Sequence, residues 1–88
     1  MSKQYIITHT KSVSGRLYKS RPLTIAEAVE YYGYTLECGA SYEHEKGNKK
    51  INRNPKTIAS LIKNLNNASN NTSRNGWGEY YTAEEVTA

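Results

Sequence analysis

"NPKTIASLIKNLNNA", Asn54 to Ala68, is the stretch that decides the fold class. Ile58, Leu61, Ile62, Leu65 and Ala68 recur at the spacing of one helical face. Lys56, Ser60, Lys63, Asn64, Asn67 and Asn71 fall on the other side. Asn54 carries the acceptor an N-cap needs, and Pro55 suits the first helical position, where a missing N–H is no loss. The pattern predicts an amphipathic helix entered at Asn54. Beyond Ala68 the asparagine-rich run to Asn75 and Gly76 has poor helix propensity and is expected to fray into a loop.

A second helix is predicted upstream, in "TIAEAVEYYGYTLECG", Thr24 to Gly39. Thr24 with Glu27 three residues on forms a capping box. Ile25, Ala28, Val29, Tyr32 and Leu36 make one apolar stripe. Gly39 is a natural C-terminal stop. Gly33 costs about 1 kcal/mol against alanine in a helix interior, so either something packs closely there or the helix bends.

Before this helix, "KQYIITHT" (Lys3 to Thr10) is rich in β-branched and aromatic residues and reads as a strand. "SVSG" supplies a turn and "RLYKS" (Arg16 to Ser20) a return strand. Between Ala40 and Arg53 there is no helical period, and a short hairpin around Lys46, Gly47 and Asn48 competes with a functional loop. "WGEYYTAEEV" closes as a strand, with Trp77 or a tyrosine over the core. The order gives an α+β domain spanning 1–88: a small, mostly antiparallel sheet with two helices packed on one face.

Eighty-eight residues enclose a small core, so self-association into a homo-oligomer would be a natural supplement. Eight tyrosines, one tryptophan and no phenylalanine suit a thin core and a half-exposed surface equally. The lone Cys38 makes no internal disulfide and fits a reducing, cytoplasmic setting. No run approaches the length of a membrane span.

The net charge of +4 is unevenly spread. Lys11, Arg16, Lys19 and Arg21 form one acid-free group, and the chain from Lys46 to Arg74 holds seven further cations and no acid. Aspartate is absent altogether. Such segregation attracts polyanions or an acidic protein.

Enzyme chemistry has little to stand on. Glu43, His44 and Glu45 would place both glutamates on one face of a strand and His44 on the other. One cysteine and two histidines fall short of a closed zinc site, and metal-dependent nucleases present more acidic ligands. Cys38 has no evident basic partner. Neither phosphate-binding glycine motif occurs, so no nucleotide cofactor is indicated.

A phosphate grip is the better candidate. Lys49, Lys50 and Arg53 precede the helix that starts at Asn54, and Lys56 lies in its first turn. There, backbone N–H groups and the helix dipole favour an anion. Lys63 and Asn67 extend the polar stripe, and Tyr42 would stack on a base. Lys11, Arg16, Lys19 and Arg21 make a weaker second patch. A well-capped helix with a solvated basic loop would show much of the same pattern.

The brevity, the Lys/Asn/Tyr bias and the phrase "EKGNKKINRNPKTIASLIKNLNNA" (Glu45 to Ala68) resemble small bacteriophage-encoded accessory proteins. That resemblance implies a non-enzymatic, stoichiometric binder in a bacterial host cytoplasm, blocking host machinery or defence. Its partner would be nucleic acid, a nucleic-acid-binding complex or a nucleotide signal. The alternatives are a module docking an acidic host protein and, behind it, a small nuclease using the Glu43–Glu45 edge.

Overall fold

The computed structural model describes residues 3–11, 14–72 and 79–86. Strand β1 (Gln4–Lys11) turns back into β2 (Arg16–Lys19), and the chain then forms α1 (Ile25–Tyr31), α2 (Gly33–Ser41), α3 (Ile58–Thr72) and β3 (Glu79–Val86). The three strands make one antiparallel sheet in the order β2-β1-β3, so the expected α+β class is found. Gly15 takes a φ of +69° in the β1–β2 turn, a region other residues rarely enter.

Alternation sorts the central strand. Ile7 is fully buried against the helices, and His9 on the same face stacks on Tyr81 of β3 at 4.3 Å. Across the opposite face the register aligns Leu17, Thr10 and Tyr80, and both Leu17 and Tyr80 are exposed. The helices therefore cover one side of the sheet only. Tyr81 is the tyrosine that caps the core, and Tyr32 meets its ring edge-on at 5.9 Å. Trp77 lies outside the described residues.

Three helices, rather than two, lie on that side. The capping box forms as expected: the Glu27 N–H donates to Thr24 Oγ1 at 3.2 Å, and the Thr24 N–H to Glu27 Oε1 at 2.9 Å. The helix it starts is interrupted at Tyr32, whose φ of −97° and ψ of 13° leave the helical region. Of the two expectations for Gly33 the bend is found, one residue earlier, and the close contact is not: nothing stands within 4 Å of where a Cβ on Gly33 would sit.

Gly39 has a different job from the predicted stop. α2 continues through it to Ser41, and a Cβ at Gly39 would overlap Ala68. The missing side chain lets α2 and α3 approach closely over Leu36, Ala40, Leu61 and Leu65, all buried. Each fully buried leucine contributes on the order of 2 kcal/mol of transfer free energy.

The alternatives left open for 40–53 are decided, and two expectations for α3 are corrected. No hairpin forms between Ala40 and Arg53; residues 42–47 are a series of turns, with Gly47 at φ +87°, and 48–57 run without regular structure. α3 starts at Ile58, not after Asn54. Thr57 is its cap, its Oγ1 accepting the Ser60 N–H at 3.1 Å and its carbonyl the Leu61 N–H at 2.9 Å. Pro55 is fully buried instead, an apolar plug preceding the helix. α3 also outlasts the predicted fraying and stays helical to Thr72.

Candidate binding groove

The segment from 48 to 57 has no strand partner, yet its backbone is held at several points by side chains. Asn71 grips one residue from both sides: its Oδ1 accepts the Lys49 N–H at 3.0 Å and its Nδ2 donates to the Lys49 carbonyl at 2.7 Å. The same Nδ2 lies 3.1 Å from the Gly39 carbonyl, tying α2 in as well. Asn64 accepts the Asn52 N–H at 2.8 Å and donates to the Ser60 carbonyl at 2.8 Å. Glu43 Oε2 accepts the Ile51 N–H at 3.0 Å, so one glutamate of the suspected catalytic edge serves as a backbone partner.

This explains why Asn64 and Asn71, expected on the solvent side of α3, are buried. A buried amide is tolerated when its donors and acceptor are used, and here the loop backbone uses them. Ile51 and Pro55 anchor the segment from below. With those two pointing in, Lys50, Asn52, Arg53 and Asn54 are left exposed.

A groove of about 590 Å³ results. One bank is Lys50, Ile51, Asn52, Arg53 and Asn54; the other is Ser60, Lys63, Asn64 and Asn67, at i, i+3, i+4 and i+7 along α3. Among the described residues no acidic or aromatic side chain lines it. Arg53 Nε is nevertheless 2.7 Å from Glu37 Oε2 of α2, behind the bank. Both side chains are about half exposed, so the pair contributes at most about 1 kcal/mol and leaves Arg53 open to exchange Glu37 for an incoming anion.

Of the sequence candidates, Lys50, Arg53, Asn54, Lys63 and Asn67 are brought together. Lys49 is not: its backbone is clasped by Asn71 and its side chain is exposed away from the groove lining. Lys56 lines a separate cavity with Ile25, Val29 and Pro55. Tyr42 is on another cavity with His9, Tyr34 and Cys38, so it has no part in stacking at the groove. The helix-end anion site is also displaced, because the cations gather along the flank of α3 and not on its first turn. Asn52, absent from the sequence candidates, had no signal; Ser60 and Asn64 were visible in the helical period.

The second basic group does not assemble on one face. Lys11 and Arg16 are cross-strand partners, whereas Lys19 pairs with Thr8, whose side chain points to the opposite side of the sheet. Lys11 reaches Glu79 at 4.0 Å and Arg21 reaches Glu27 at 3.7 Å. Among the described residues no three His, Cys or Glu side chains converge as a metal site requires, and no helix is long and apolar enough to cross a membrane. Comparison with protein families, with characterised proteins and with solved structures finds no match to this chain.

Proposed function

We propose that the protein is a non-enzymatic binder whose groove between α3 and the 50–54 segment takes a phosphate-bearing ligand. One observation carries this: Lys50, Arg53 and Lys63, from two different elements, face one concave surface that no carboxylate of the described residues lines. Around them Asn52, Asn54, Asn67 and Ser60 offer donors and acceptors for phosphate and sugar oxygens. The groove is wide enough for a nucleotide-sized group. With no aromatic wall among the described residues, it favours contact with the phosphodiester backbone of a nucleic acid over stacking on a base. In the phage setting the sequence resembles, such a protein would interfere with host defence in the bacterial cytoplasm by occupying a nucleic-acid site.

The docking of an acidic host protein is the second reading, and the Arg53–Glu37 contact favours it, since the groove's arginine already donates to a carboxylate.

Fluorescence anisotropy with a labelled single-stranded oligonucleotide tests the first. Binding is expected to weaken steeply with salt and to fall at least tenfold in Lys50→Glu with Lys63→Glu. Glu37→Ala, which frees Arg53, is expected to tighten it a few-fold. Binding indifferent to salt and to the double reversal would overturn the proposal.

A further inference from the structure

The sheet has an edge that the helices cover only halfway. On β1, Tyr5 spends both backbone groups toward Leu23, at 2.7 and 2.9 Å, and the Ile7 carbonyl accepts the Ser20 N–H at 2.9 Å. Odd-numbered residues of β1 thus bond away from β3. In an antiparallel ladder their β3 partners, Tyr81, Ala83 and Glu85, must direct N–H and C=O outward. Asn66 of α3 satisfies Tyr81, accepting its N–H and donating to its carbonyl at 3.1 Å. No described residue does the same for Ala83 or Glu85. Beside them opens a cavity of about 650 Å³ lined by Ile58, Ala59 and Ile62, and Ile58 and Ile62 are only half-buried.

A second copy of the chain fits this edge poorly. A two-fold axis at Ala83 would need the Tyr81 backbone that Asn66 already holds. An axis at Glu84 or at Glu85 would set a carboxylate directly opposite its own copy, which destabilises a strand pair. Glu85 is paired with Lys3 at 3.4 Å, while Glu84 has no cation among the described residues.

We propose that the outer edge of β3 at Ala83 and Glu85 accepts an added strand from another protein, an extended segment alternating apolar and basic side chains. The residue opposite Ala83 shares its face and enters the cavity between Ile58 and Ile62. Its neighbour, on the other face, carries the lysine or arginine that Glu84 lacks. Backbone hydrogen bonds hold the segment, and the alternation sets its register. This surface is separate from the basic groove and does not depend on it.

The probe is an end-blocked hexapeptide alternating lysine and valine, added to the full chain while amide hydrogen exchange is followed. The Ala83 and Glu85 amides are expected to slow by about tenfold at saturation. A glutamate–valine peptide is expected to have no effect. Ala83→Pro removes an outward N–H without touching the β1 ladder, so it should keep the fold and abolish protection. If that variant does not fold, Glu84→Lys must lose the lysine peptide. No slowing at either amide, equal slowing by both peptides, or slowing that comes from dimerisation of the chain would overturn the proposal.

Discussion

Asn71 holds Lys49 by both backbone groups, N–H at 3.0 Å and carbonyl at 2.7 Å, from a side chain that is 3% exposed. A helix side chain here does what a neighbouring strand would otherwise do. Asn71→Ala leaves the Lys49 N–H and carbonyl short of partners and is expected to cost about 3 kcal/mol in urea unfolding. Asn71→Asp keeps the acceptor but turns a carboxylate oxygen on two carbonyls, so it should be no better than alanine. A small loss in either variant would show that water replaces the clasp.

Gly39 and Ala68 form the contact that sets the α2–α3 distance. Gly39→Ala improves helix propensity by about 1 kcal/mol but overpacks the contact, so a net loss of roughly 1–2 kcal/mol is expected. Adding Ala68→Gly should recover only part of the loss, because the new Cβ would still overlap the backbone Cα at position 68 and glycine adds its own poor helix propensity. A double-mutant cycle in denaturant reads this coupling directly.

Thr57, not Asn54, starts α3. Thr57→Ala is expected to cost about 1 kcal/mol, the usual value of a lost cap. Asn54 contributes no side-chain acceptor to the helix, and Asn54→Ala should stay within about 0.5 kcal/mol. The reverse order of effects would restore the helix start expected from sequence.

The first capping box is sensitive to acid. The Thr24 backbone N–H, and after it the Thr24 hydroxyl, hold the Glu27 carboxyl below its ordinary value of 4.5, with Arg21 adding to the effect. A carboxyl depressed in the folded state contributes stability that is present in full above its unfolded value and lost as pH falls through the folded one. Unfolding midpoints measured from neutral pH down to about pH 3 should therefore drop less in Glu27→Gln, which retains an acceptor for the Thr24 N–H.

Local and periodic features were legible. The Thr24–Glu27 box, the Ile58–Ala68 stripe, the three strands and the antiparallel α+β arrangement each depend on residues a few positions apart, or on alternation along one element. In the groove, Lys50, Arg53, Asn54, Lys63 and Asn67 were found through their charge and their place on the polar side of α3. Lys49, Lys56 and Tyr42 have the same chemistry and comparable sequence neighbourhoods, yet they face elsewhere.

What the sequence determined by itself was the three strands and the helical segments, though not the break at Tyr32 or the start of α3, because propensity, capping and periodicity are properties of neighbours along the chain. Only the tertiary structure decided how asparagine is used. An amide on a helix reads as solvent-facing until a segment without strand partners comes within about 3 Å and takes up its donors and acceptor. That meeting buries Asn64 and Asn71, plugs Pro55 into the core and leaves Lys50 and Arg53 facing Lys63 across a groove.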